Sequence, residues 1–150
     1  MYLRFILLSL AFFFLHKAGQ TQTTTIAKSS ANNIYLDGTV GIFSQGSINY
    51  ERKVVGGEKL NLYGRIGAGA SINTNGGTGP GGLFALTMLT GARKHHFELG
   101  LGTFIGAEGG GTFVHPVFNA GYRFQKPEGG FIFRTHLGLL SIGIGAGYAF

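Results

Sequence analysis

Cysteine is absent from the 150 residues, which removes disulfides, thiolate chemistry and lipoprotein acylation in one step. Charge is scarce too. Asp, Glu, Lys and Arg together make up 12% of the chain, poor for a soluble exported domain. Aspartate occurs only at Asp37, so most acidic chemistry would have to come from glutamate. After the first fifteen residues there is no second long apolar run. A transmembrane helix needs about 20 such residues, so a mature chain that crosses a membrane must cross as strands of about ten residues each.

The amino terminus carries the one apolar run. Arg4 precedes Phe5 to Leu15, interrupted only by Ser9, and polar residues resume at His16. Eleven residues are too short to span a bilayer. The positive flank, short apolar centre and small-residue exit around Ala18-Gly19-Gln20 instead predict a cleavable secretory signal peptide over residues 1–20, with a retained anchor as the alternative. No A-x-A site marks the bond, and the mature start is expected between Gln20 and Gln22. Residues 21–32 lie in the polar, non-periodic stretch TQTTTIAKSSANN and read as a flexible lead-in. Residues 33–150 form the single domain, with a size sufficient for its own core.

What the chain has in quantity is glycine, 28 residues, with 14 Phe and 6 Tyr. Their arrangement is clearest at the end, in LLSIGIGAGYAF. Leu140, Ile142, Ile144, Ala146, Tyr148 and Phe150 alternate with Ser141, Gly143, Gly145, Gly147 and Ala149. A period of two puts the bulky set on one strand face and the small set on the other. The second face is neither polar nor bulky, which suits the crowded inside of a narrow barrel whose other face meets lipid.

Similar alternation between turn signals predicts strands at Asn33–Thr39, Ile42–Val54, Leu60–Asn73, Gly82–Ala92, His96–Gly106, His115–Phe124, Gly129–Gly138 and Leu140–Phe150. The first two can also be read as one strand bent around Val40-Gly41. An even count keeps both ends on one side of a membrane, which favours the split. Phe118, Ala120, Tyr122 and Phe124 face outward in the sixth strand, and Phe131, Phe133 and Leu137 in the seventh. Phe97, Leu99, Leu101 and Ile105 do so in the fifth, and Leu62, Ile66 and Ile72 in the third. Gly82–Ala92 is ambiguous, with Leu83 and Leu89 opposed to Phe84, Leu86 and Met88. Short charged turns (Val55–Lys59, Arg93–His95, Gln125–Glu128) alternate with longer uncharged connections at Asn73–Gly81 and Ala107–Val114, the pattern of periplasmic turns and external loops. The fold class expected is therefore all-β, an eight-stranded antiparallel up-and-down transmembrane barrel. A soluble periplasmic barrel or sandwich is the rival.

The ending GAGYAF resembles the assembly signal of outer-membrane β-barrel proteins, with Gly145 followed at fixed spacing by Tyr148 and the terminal Phe150. Gly143 stands where that signal usually carries a polar residue. SINYERK, HFELGLG and AGYRFQKPEGGFIFR are similar to segments of small eight-stranded Gram-negative barrels. The resemblance spans the mature chain. It implies an outer-membrane location, contact with outer-membrane lipids, and delivery by periplasmic chaperones to the barrel-assembly machinery. About activity it implies little, since such barrels serve as adhesins, enzymes and scaffolds.

The expected inner face gathers Glu51, Arg65, Glu98, Arg123 and Arg134, and hairpin geometry sets Glu51 near Arg65 and Glu98 near Arg123. Opposite charges there fill and neutralise a lumen only wide enough for its own side chains; a gated conduit is the alternative. No enzyme is expected. His136-Leu137-Gly138 and His115-Pro116-Val117 lack the H-x-S serine of a lipid-modifying hydrolase, and Ser141 is five residues past His136. Gly77–Gly82 satisfies G-x-G-x-x-G but reads as a surface loop. His95-His96 point to opposite faces, with no third metal ligand evident. No metal, no cofactor and no nucleic acid is expected, and the default state is a monomer. The formal charge of +6 drops to about +4 without Arg4 and Lys17. The remaining Arg52, Lys53, Lys59, Arg93, Lys94 and Lys126 gather at the presumed periplasmic ends, suited to anionic headgroups. The leading role is structural or surface-interacting. Alternatives are a small porin or adhesin-like barrel binding through the two longer loops, and the hydrolase.

Overall fold

A computed structural model of the protein describes residues 30–73, 77–91 and 93–150. The segments expected from the sequence as a signal peptide and, for the most part, as a lead-in fall outside these residues. Eight strands follow one another: β1 Asn32–Gly41, β2 Phe43–Gly56, β3 Leu60–Asn73, β4 Gly79–Thr90, β5 His95–Glu108, β6 Gly111–Gln125, β7 Gly130–Gly138 and β8 Ser141–Ala149. Each pairs antiparallel with the next, and β8 closes on β1. Closure reaches the last residue, where Phe150 exchanges two backbone hydrogen bonds with Asn32. The described residues contain no helix.

Tracing neighbours once round from Ala31 passes Lys53, Tyr63, Thr87, Gly100, Asn119, Gly138 and Ser141. The path returns to β1 at Gly41, ten residues higher. That stagger is what tilts strands in a closed barrel. In β2 the register slips by one between Lys53 and Val55, a bulge that sharpens the bend near its end.

The first strand pair is split as the even count required, with Ile42 alone between β1 and β2. The faces expected for the third, fifth, sixth, seventh and eighth strands are the observed ones. The ambiguous β4 turns Leu83 and Leu89 inward, fully buried, and Phe84 and Leu86 outward. The alternation of side lengths needs correction. Ala107–Val114 is not a loop: β5 runs to Glu108, β6 starts at Gly111, and Gly109 and Gly110 (φ 56° and 87°) make a two-residue turn. Successive left-handed residues are what such a hairpin demands, and glycine supplies them without strain. Gly79–Gly81 likewise belongs to β4.

The empty-looking face of β8 has a packing reason. Gly143 lies opposite His136, Gly145 opposite Arg134 and Gly147 opposite Tyr35, each against the large inward side chain of a neighbouring strand. A Cβ on Gly143 or Gly147 would collide with the His136 ring or the Tyr35 side chain. Small residues on β8 make room for large ones beside it.

Candidate functional site

The interior is where titratable side chains converge. The largest fully buried side chains are Arg123 and Arg134, with Tyr35, Glu51 and Glu98 among the others. Period-two alternation aims them there: β1 contributes Asn33, Tyr35 and Asp37, β2 Asn49 and Glu51, β3 Arg65, β5 Glu98, β6 Arg123 and Gln125, and β7 Arg134 and His136.

Arg123 is the hub. Its Nε donates to Glu98 Oε2 at 2.6 Å, Nη1 to Glu51 Oε2 at 2.6 Å and Nη2 to Glu51 Oε1 at 3.1 Å. Fork-shaped pairing of this kind is the strongest an arginine makes with a carboxylate. Glu51 is completed by the Tyr35 hydroxyl, donating at 2.6 Å, and the Asn33 amide at 3.2 Å. Glu98 shares its other oxygen with Arg134 Nη2. Arg134 Nη1 sits 2.6 Å from Asp37 Oδ2, close enough for an ion pair but poorly angled for a hydrogen bond. Arg65 lies 3.7 Å from Asp37 and donates to Asn49 Oδ1 at 2.9 Å. The Tyr35 ring is approached by the guanidinium groups of Arg134, Arg65 and Arg123 at 4.9, 5.3 and 5.4 Å, favourable cation–π contacts.

All five residues expected in the lumen meet in this network. Glu98 pairs with Arg123 as expected. Glu51 and Arg65 stand opposite one another in the register, yet the expected pair does not form: Glu51 reaches across the barrel to Arg123, and Arg65 turns to Asn49 and Asp37. The network also has members that sequence reasoning left out, Asp37 and Tyr35. Their signal was available, since both share the odd-numbered face of β1 with Asn33. Three arginines and three carboxylates balance the charge.

Layers of other chemistry cap the network. Toward the chain ends, Gln125 donates to Asn33 Oδ1 at 3.1 Å beside buried Ile132 and Leu89. Toward the far end, Phe104 stacks on His115 with centroids 5.3 Å apart and 18° between planes; Phe43 and Phe113 also lie against His115. His115 Nε2 is 2.9 Å from Ser71 Oγ, a pairing that a search for adjacent residues could not find. Both are buried, and His115 Nδ1 meets the Pro116 carbonyl at 3.3 Å. No carboxylate among the described residues hydrogen-bonds this histidine, so the pair lacks the acidic third member of a triad.

The remaining motifs resolve simply. Gly79–Gly82 is strand, with no helix after it to receive a phosphate. His95 is exposed and 2.5 Å from the Tyr122 hydroxyl, while His96 is buried between the Thr90 and Gln125 carbonyls. Among the described residues no group of three His, Asp or Glu is placed to hold a metal ion. No protein-family model, curated protein or solved structure matches the chain.

Proposed function

We propose that the chain is an outer-membrane β-barrel of a Gram-negative bacterium, monomeric, with a structural or surface-interaction role and no catalysis. One observation carries the membrane reading: the two faces of the wall are inverted relative to a soluble protein. Arg123, Arg134, Glu51 and Glu98 are essentially inaccessible, while Leu36, Leu101, Leu137 and Ile144 are 59–68% exposed. A continuous apolar belt of that kind far exceeds the patches soluble monomers tolerate. In a bilayer it becomes the favourable surface, and the pairing of β1 with β8 closes the sheet on itself.

The outer membrane is favoured over other membranes by the predicted leader and by the likeness of Gly145, Tyr148 and Phe150 to a barrel-assembly signal, which would bring periplasmic chaperones and the assembly machinery as transient partners. Arg52, Lys53, Lys59, Arg93, Lys94 and Lys126 belong to the end where β1 begins and β8 finishes, tempered there by Glu58 and Glu128, whereas Glu108 is the charged residue described at the other end. That basic collar suits anionic headgroups on one side of the membrane. A packed, neutral lumen favours a scaffold over a porin. The three fully described turns at that end, at Ile42, Gly109–Gly110 and Leu139–Leu140, are too short to serve as an adhesin's binding loops.

Fractionation tests the reading. The mature chain should sediment with outer membranes, resist carbonate extraction, and migrate faster on a denaturing gel unboiled than boiled. Recovery in the soluble periplasmic fraction would overturn it.

A further inference from the structure

The register leaves a gap in the wall at the end opposite the start of β1 and the finish of β8. β7 and β8 stop at the Leu139–Leu140 turn, and β7 pairs with β6 only from Asn119 to Gln125. Above that, Gly111–Phe118 has β5 on one side and no strand on the other. Glu108 and Gly111 close a two-residue hairpin as a hydrogen-bonded pair. By alternation, inward residues such as His115 and Val117 then turn their backbone toward β5, and outward Thr112, Val114, Pro116 and Phe118 turn theirs toward the gap.

An open edge invites another strand, but this one is blunted. Pro116 has no N–H to offer, and its carbonyl lies against the His115 ring. With the Asn119 amide oriented to satisfy both neighbours, it donates to the Phe118 carbonyl at 2.8 Å and accepts from Arg65 Nη1 at 3.1 Å. The gap is thereby kept from being filled by strand addition.

Behind it is a cavity of about 30 Å³ between β6, the β1–β2 hairpin and the β7–β8 turn, room for a water-sized polar group. Thr39, Gln45, His115, Asn119 and Ser141 line it. The outer approach is apolar, with Val40, Phe118, Leu139, Leu140 and Ile142 exposed. One layer deeper, His136 is 3% exposed with neither ring nitrogen hydrogen-bonded, and it shares the space at Gly143 with Thr39.

We propose that this lateral cleft binds a single-chain amphiphile from the surrounding membrane. Its hydroxyl or carboxyl end sits against Thr39, Gln45 and Ser141, and its hydrocarbon chain lies outward across Leu139 and Phe118. A narrow cavity of this kind favours a small polar end over a bulky headgroup. The proposal rests on the membrane reading.

The test uses the full mature barrel folded into phosphatidylcholine vesicles and irradiated with a fatty acid, or the corresponding fatty alcohol, carrying a diazirine near its polar end. Mass spectrometry then maps the adducts. Labelling should concentrate on the peptides containing Phe118 and Leu139, and disappear under excess unlabelled acid or alcohol. It should be lost in Ser141→Phe, which fills the cavity, and weakened in Gln45→Leu, which lies away from the turn. Comparing acid with alcohol identifies which polar end is preferred. Adducts spread evenly over all eight strands, indifferent to competitor and to both substitutions, would overturn the cleft. Unboiled gels of the same samples report insertion separately, and failure to insert would overturn the membrane reading together with the cleft.

Discussion

Arg123 shows how much one side chain can settle inside a narrow barrel. It ties β6 to β5 through Glu98 and to β2 through Glu51, a residue 72 positions away in sequence. Charged groups so deeply buried are tolerated only when paired, and removing one partner leaves the other without compensation. Glu98→Ala should therefore cost about 3–5 kcal/mol, read by denaturant titration of the barrel folded into vesicles, because Arg123 and Arg134 both lose a carboxylate. Adding Arg123→Ala restores neutrality among Glu51, Asp37, Arg65 and Arg134, so the double variant should regain part of the loss. Equal or greater loss in the double variant would mean that charge balance is not what the network maintains. Hairpin reasoning finds Glu98 and Arg123 because they lie on adjacent strands. It fails for Glu51, because arginine is long enough to cross the lumen and sequence adjacency says nothing about what lies opposite. Asp37 escapes hairpin reasoning for a different reason: a lone aspartate in the sequence signals scarce acidic chemistry and says nothing of the arginines it faces across the lumen.

Among the strands, β8 tests the division into faces most directly. Ile144 is 59% exposed on the outer face, and on the proposed membrane reading Ile144→Arg should cost about 2–4 kcal/mol if that position lies near the bilayer midplane. Period-two reasoning alone makes Gly145→Ser a mild change. The packing says otherwise: a Cβ there would stand 2.8 Å from the Leu36 carbonyl and 2.9 Å from Arg134 Cγ. Overfilling of that kind costs about 1–3 kcal/mol, so folding titrations should find Gly145→Ser destabilised as well, by displacing Arg134. The β7–β8 turn offers a change of opposite sign. Leu140 adopts φ 55°, a left-handed conformation costing a side-chain-bearing residue about 1–2 kcal/mol. Leu140→Gly should raise stability by about 1 kcal/mol after allowing for glycine's greater unfolded-state freedom. No gain in the same titration would place the strain elsewhere. These strands were legible because alternation of bulky and small residues is a direct consequence of the pleat. Turn lengths were less so, since GAEGGGTFVH contains loop-favouring residues yet its Phe113, Val114 and Thr112 still alternate well enough to be strand.

At the scale of the whole molecule, closure and filling act together. The eight strands form a wall whose inner residues are stacked in layers: Gln125, Asn33 and Ile132 near the termini, the ionic network in the middle, and Phe104, Phe113 and His115 beyond it. A barrel of eight strands has an interior just wide enough for side chains, and here three arginines and three carboxylates occupy its middle with no net charge. For an ion to pass, it would have to displace a forked Arg123–Glu51 pair and part the aromatic stack in the same event. The barrel in planar bilayers should therefore show no steady conductance. Glu98→Ala should remain silent too, because the layers on either side stay closed even when the middle one is unbalanced. Single-channel recording across a range of voltages decides the matter. A stable open level in the unmodified protein, abolished by substitutions at Glu51 or Arg123, would make the charge network the lining of a pore and displace the scaffold reading.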